Sequence, residues 1–207
     1  RQAGVFFHSD AAQSFGKLKI LVKDWDIDLL SGSAHKIGGP KGIGFLYVRD
    51  SVAISPLFFG GGQERGLRSG TENVPAIAGF GKALEIAKRI NKEKIRKIRD
   101  KFIFELEKIG GNINGAVGND RIFNNVHVSF SGINSEDLIF RLSSKGIYVS
   151  AGSACDSKKK KEDEILRAIG LNVKEMNGSI RISLDERVAE RDVERVIGEI
   201  KKLLSLL

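Results

Sequence analysis

Short apolar runs alternate with longer amphipathic stretches along the chain. Val5-Phe6-Phe7-His8 predicts a buried strand. Leu29-Leu30-Ser31 predicts a second, ending in the polar run 32–36, and Gly44 to Val48 a third before the charged turn Arg49-Asp50. Continuous runs of this kind belong to strands covered on both faces, as in an α/β sheet rather than a sandwich. Gly60-Gly61-Gly62 opens a loop rich in Gly, Arg and Ser that lasts to Thr71. Asn73 and Pro75 then mark a helix start, because Asn caps well and Pro is tolerated in the first turn. Ile77, Phe80, Leu84 and Ala87 fall on one face of it. Ile95, Ile98, Phe102, Leu106 and Ile109 follow at the same spacing and stop at Gly110-Gly111. Together they are compatible with one long kinked helix between domains.

Beyond residue 111 the texture changes. Val126, Val128 and Phe130 alternate with His127, Ser129 and Ser131, which predicts a half-buried strand. Ser135-Glu136-Asp137 caps a short helix carrying Leu138, Ile139 and Leu142 and closed by Gly146. Ile147-Tyr148-Val149 predicts a short strand leading to Gly152-Ser153-Ala154-Cys155. Glu162 to Ile169 is a helix stopped by Gly170, Ser179 to Ser183 a strand, and the segment with Val193, Val196, Ile197, Ile200, Leu203 and Leu204 an amphipathic helix. The division expected is an α/β part over 1–90 and a small α+β domain over 91–207.

Composition bounds the function. The chain has 207 residues, 41% hydrophobic and 29% charged, the profile of an ordinary globular protein of one or two domains. No run reaches the roughly 18 apolar residues of a membrane span. One cysteine closes no intrachain disulfide, and C-x-x-C metal spacing is absent, so no metal is expected. The formal charge of +8 raises nucleic acid as a partner. The distribution argues against it: Lys88 to Lys108 alternates basic and acidic residues like a solvated face. The run Lys158 to Lys161 is followed at once by Glu162-Asp163-Glu164, and no aromatics interleave to stack bases. The start at Arg1, running almost directly into Val5-Phe6-Phe7, reads as the C-terminal part of a longer chain. The single reduced cysteine suits the cytoplasm.

Three features converge in the first seventy residues. Asp10 follows one strand, Ser33-Ala34-His35-Lys36 follows a second, and Gly38-Gly39-Pro40-Lys41-Gly42 comes next. In open α/β sheets, ligands sit at the carboxyl ends of strands. A lysine that forms a Schiff base and an aspartate that pairs with a pyridinium nitrogen are what pyridoxal 5'-phosphate requires. Ser33 and His35 are candidates to hold its phosphate. Taken singly, an aspartate after a strand is ordinarily a helix cap, a lysine there is ordinarily solvated, and His8 is an ordinary strand histidine.

Order and spacing reverse that balance. His8-Ser9-Asp10-Ala11-Ala12-Gln13, Ser33-Ala34-His35-Lys36 with Gly39-Pro40-Lys41-Gly42, Gly60 to Thr71, and Gly152-Ser153-Ala154-Cys155 together closely resemble cysteine desulfurases. These are pyridoxal-phosphate enzymes of the aminotransferase class V group, fold type I. The resemblance implies part of a large domain with a mixed, mostly parallel sheet, then a small α+β domain carrying the cysteine loop. It implies that Lys36 carries the Schiff base and shuttles protons, Asp10 pairs with the ring nitrogen, and Gln13 hydrogen-bonds the phenolate oxygen. Ser33 and His35 hold the phosphate, Thr71 reaches a phosphate across a homodimer interface, and Arg181 clamps the substrate carboxylate. Cys155 is the nucleophile that takes sulfur from L-cysteine as a persulfide, releasing alanine and passing sulfur to an iron–sulfur scaffold or another acceptor protein.

The segment from Cys155 to Gly170 resembles the longer-loop desulfurases, except that Lys158 to Lys161 replaces the usual polar, serine-containing stretch. The family's N-terminal half normally supplies a phosphate-cradling turn, a histidine stacked on the ring and an asparagine near the phenolate oxygen. The expectation is therefore weak cofactor binding by this polypeptide alone. The alternatives are a selenocysteine lyase and a non-catalytic module that dimerises or holds a scaffold.

Overall fold

Residues 4–151 and 164–205 are described by the structure, a computed structural model. The chain divides into two compact units, Arg1–Ile90 and Asn91–Leu207.

In the first unit a three-stranded mixed sheet runs in the order β1 (His8–Asp10), β2 (Leu29–Ser33), β3 (Gly44–Val48). β1 and β2 are parallel; β2 and β3 are antiparallel. Ala11, Ile27 and Leu30 form the buried centre, with Phe15, Ile20, Val22, Phe45 and Tyr47 around them. Phe15 meets Phe45 and Phe80 edgewise, and Phe45 and Phe80 lie tilted to one another, with 4.6 to 6.1 Å between ring centres. Gly32 is required there: a Cβ on it would lie 2.2 Å from the Phe45 ring. α1 (Val74–Arg89) starts at Asn73, whose side chain accepts from the Ala76 amide at 3.2 Å. It buries Ala76, Ala83 and Ala87, and leaves Ile77 43% exposed, against expectation. The buried face is lined by alanines because the helix lies close to its neighbours; a Cβ on Gly79 would lie 2.7 Å from Pro40 Cγ.

The strand expected at Val5–His8 begins only at His8. Val5, Phe6 and Phe7 are 70, 67 and 51% exposed. Among the described residues β1 is an edge strand, hydrogen-bonded to β2 alone, so an apolar run next to it is not by itself a covered one. The run is tied down at Phe7, whose amide donates to buried Asp28 at 3.0 Å. Asp28 also pairs with Arg49 at 3.2 Å.

The second unit starts with α2 (Lys92–Lys108). α1 and α2 are two helices, not one kinked helix, because Asn91 caps its own helix by accepting from Lys94 at 3.0 Å. An antiparallel sheet follows in the order β4 (Asn112–Ile113), β5 (Asn125–Ser129), β7 (Ser179–Ser183), β6 (Ser150–Ala151). α2 and α3 (Ser135–Ser144) pack on the sheet, and α6 (Glu190–Leu204) packs on both helices. α4 (Glu164–Ala168) and α5 (Val173–Asn177) complete the unit. Phe102 and Leu106 are buried in α2, each contributing about 2 kcal/mol of apolar burial.

Four local expectations are corrected. β5 is not half-buried: His127 and Ser129 are as enclosed as Val126 and Val128. Its second face is held by polar partners, Asn114 donating to Ser129 at 2.7 Å and meeting His127 at 3.2 Å. The cap of α3 is Asn134, which accepts from Glu136 at 2.8 Å, rather than Ser135. The run 147–149 is no strand. Ile147 is buried, and its amide donates to Leu142 just past Gly146 at φ +71°, so the run closes α3 as a helix-terminating hydrophobic contact. The alternating charges of 88–108 are not all solvated: Arg99 is 0% exposed. Among the described residues no helix is long and apolar enough to cross a membrane.

Candidate functional site

Parallel pairing in the register His8–Leu29, Ser9–Leu30, Asp10–Ser31 brings the carboxyl ends of β1 and β2 to the same side of the sheet. Asp10 ends β1. The chain then turns back through residues 11–17, fixed by the Ala11 amide donating to Ser31 at 2.8 Å. One carboxylate oxygen of Asp10 accepts from the Ala12 amide at 2.8 Å, the ordinary turn-capping role.

β2 ends at Ser33 and passes directly into a 3-10 turn, Ala34–Ile37, which carries His35 and Lys36. Gly38, at φ +82°, closes the turn, and the Gly39 amide donates to Ala34 at 2.9 Å. A Cβ on Gly39 would sit 2.9 Å from the Ala34 methyl, so only glycine lets the chain leave this tightly. The Ser33 hydroxyl and His35 Nδ1 are 2.7 Å apart. Asp10, Ser33, His35 and Lys36 thus occupy one end of one sheet.

Gln13 belongs to the same group. It is exposed on the turn after Asp10, and its Oε1 accepts from Lys17 Nζ at 3.2 Å. The turn rests on the lysine turn through Gly16, where a Cβ would lie 3.0 Å from Ile37 Cγ2. Lys17 is half-buried; burial, then the nearby charge of Lys36, holds its amine below the ordinary lysine value. Lys17 carried no signal beyond its four-residue spacing from Gln13. Thr71 is exposed ahead of α1 and makes no hydrogen bond to this group among the described residues.

The donor set suits a phosphorylated pyridine aldehyde. A carboxylate matches the ring N–H, a primary amine the aldehyde, a hydroxyl and imidazole the phosphate, and an amide the phenolate oxygen. Asp10, Lys36, Ser33, His35 and Gln13 supply these and are the residues that fit such a cofactor.

Arg181 lies in the second unit, on β7, opposite His127 of β5 and Ser150 of β6. It lines a cavity of about 320 Å³ with Asn114, Arg121, His127, Ile165 and Ile169. Its Nε is buried without a hydrogen-bond partner among the described residues. Arg121 donates to Asn125 at 3.0 Å and to the Asn114 carbonyl. Burial, then the charge of Arg99, lowers the Arg121 pKa. Arg99 in turn donates to the carbonyls of Arg121 at 2.7 Å, Ile122 at 3.0 Å and Gly118 at 2.9 Å, and pairs with Asp100 at 2.6 Å. Arg181 and Arg121 thus place two guanidinium groups on the cavity wall, and Arg99 holds the segment behind them. Arg99, Arg121 and Asn114 are the supporting residues that pattern reading missed. Cys155 and Lys158 to Lys161 lie outside the described residues.

Residues 1–196 match the family model described as aminotransferase class-V. Over 206 residues the chain is 43% identical to a cysteine desulfurase IscS of Methanosarcina thermophila, covering 98% of this chain and 51% of that one. Among solved structures, a NifS-like protein is similar with a TM-score of 0.85 and 37% identity, over 99% of this chain and 54% of that one. A structure described as SspA in complex with cysteine is similar with a TM-score of 0.70 and 38% identity, over 91% and 52%. The chain spans about half the length of the curated relatives it matches.

Proposed function

The chain belongs to the aminotransferase class V family, and from that premise we propose that it carries the lysine-bearing part of a pyridoxal-phosphate-dependent cysteine desulfurase. The observation that carries the reading is the placement of Asp10 and Lys36 at the carboxyl ends of two adjacent parallel strands. The likeness to IscS and NifS-like proteins, and to a protein described with cysteine, supports the substrate.

When bound, pyridoxal 5'-phosphate supplies an electron-withdrawing ring that stabilises negative charge on the substrate. Lys36 Nζ is its covalent tether and, once released, the base that moves the substrate's α-proton. The Asp10 carboxylate keeps the ring nitrogen protonated. Ser33 and His35 bind the phosphate, and Gln13 donates to the phenolate oxygen. Arg181 holds the substrate carboxylate; its buried, unpartnered Nε supports a role toward an anion. The Cys155 thiolate attacks the sulfur of the substrate. A sulfur–sulfur bond forms, the carbon–sulfur bond breaks, its electron pair stays with carbon, and protonation there releases alanine.

The same reading makes the enzyme a homodimer in which Thr71 serves the neighbouring subunit's phosphate. It passes the persulfide sulfur to an iron–sulfur scaffold or similar acceptor, in a compartment reducing enough to keep Cys155 as a thiol, the cytoplasm. Residues 1–90 would then be large domain and 91–207 small domain.

The test is L-cysteine turnover with pyridoxal phosphate, by this polypeptide and by a chimera joining it to the remaining half of the Methanosarcina thermophila relative. The chimera is expected to show the visible Schiff-base band and to release sulfide and alanine one to one. The 207-residue polypeptide alone is expected to hold the cofactor weakly. A chimera that folds and binds cofactor yet leaves cysteine intact overturns the reading.

A further inference from the structure

Lysine has three donors and no acceptor. The group facing Lys17 Nζ at 3.2 Å must therefore be an acceptor, and here it is Gln13 Oε1. An amide whose oxygen is engaged has its NH2 left for anything else that approaches. The pair spans one turn, four residues apart, on the segment that links Asp10 to the rest of the unit. That segment is seated by Gly16 on Ile37, the residue after Lys36.

We propose that Lys17 is a positioning residue of the candidate site: its ammonium holds the Gln13 carbonyl, so that Gln13 presents its amide NH2 as a donor to an anionic ligand oxygen. Lys17 is half-buried beside the charge of Lys36, which fits a lysine kept for its place rather than for solvation. Without it, the amide is free to rotate and shows the ligand an acceptor oxygen as readily as a donor. An acceptor facing a phenolate-type oxygen is repulsive, so the orientation decides the sign of the contact. The inference rests on the functional reading above for the identity of the ligand oxygen, and on geometry alone for the Lys17–Gln13 pair.

The test reads the Gln13 side-chain NH2 by NMR in the cofactor-free chimera described above. The two amide protons of any glutamine stay separate because rotation about the amide C–N bond is slow; in the native sequence both are expected displaced from the positions of an unrestrained glutamine. Lys17→Met is expected to return them to those positions, while Lys17→Arg, also a donor-only cation, keeps them displaced. Gln13 signals unchanged in Lys17→Met, or returned to the unrestrained positions in Lys17→Arg, overturn the proposal. Should Lys17→Met fail to fold, the native spectrum decides. A displaced pair with a cross-peak to the Lys17 ε-methylene supports it, and a pair at the unrestrained positions sinks it. Since neither cofactor nor cysteine is present, failure here leaves the desulfurase reading standing. Absence of cysteine turnover in the chimera leaves this result standing.

Discussion

The hydroxyl of Ser33 lies 2.7 Å from Nδ1 of His35. Before a phosphate binds, with Ser33 donating, Nδ1 accepts and the ring's proton is fixed on Nε2, which leaves a donor for an anion. Hydrogen bonds to charged groups contribute about 1.5–3 kcal/mol each. Ser33→Ala and His35→Ala are each expected to weaken pyridoxal phosphate binding by the chimera at least about tenfold. The double variant should lose less than the product of the two, because the residues act as a pair. Equilibrium titration of the visible band checks this, and full additivity would count against a shared role.

Lys36→Ala is expected to abolish the visible Schiff-base band of the chimera outright, and Cys155→Ala to leave that band in place. Sulfide release from L-cysteine should fall by orders of magnitude in both. Activity of Cys155→Ala on L-selenocysteine, compared with its loss on L-cysteine, separates a desulfurase from a selenocysteine lyase. Near-complete loss on L-cysteine identifies the desulfurase, and much activity kept on L-selenocysteine identifies the lyase.

Arg99 predicts a large stability effect in the second unit. It is fully enclosed and donates to three backbone carbonyls of the segment 118–122. Arg99→Met keeps much of the volume but strands those acceptors and leaves Asp100 without its partner. A loss of about 3–5 kcal/mol is expected, read as a lower urea midpoint. The same variant should disturb Arg121, whose carbonyl Arg99 holds, and so the cavity beside Arg181.

Gly44→Ala tests the packing that carries the site. A Cβ there would stand 2.5 Å from the backbone oxygen of Gly32, across the β2–β3 ladder. Backbone on both sides offers no easy relief, so a cost of about 1–3 kcal/mol is expected. Gly38→Ala, at φ +82° but with open space around it, should cost about 1 kcal/mol from backbone conformation alone. Chemical denaturation of the two variants distinguishes a clash from a strained dihedral.

Pattern reading placed β3 and β7 to the residue because each is a short β-favouring run bounded by a turn. It placed Asn73 as a cap because the chemistry of that position is local. It misplaced β1 and the run at 147–149 for one shared reason. An apolar run announces affinity for a partner, and does not say whether the partner is a neighbouring strand, a helix end or nothing among the described residues. Arg99 escaped because a buried cation looks, in sequence, like any other charge on an amphipathic helix; only the carbonyls of 118–122 reveal its use. Asp10, Ser33, His35 and Lys36 were legible through motif order. Their convergence needed the parallel register of β1 and β2, which no single motif encodes. Their roles, like those of Gln13, Thr71, Arg181 and Cys155, rest on the family pattern.

The bare flank formed by Val5, Phe6 and Phe7, beside a side of β1 that no strand covers among the described residues, has a practical consequence. Peptide groups without partners, next to greasy side chains, are the template on which chains recruit one another. Prepared by itself, the polypeptide should come out of the cell largely as inclusion bodies, and a co-expressed fragment that seals that seam should be what keeps it in solution.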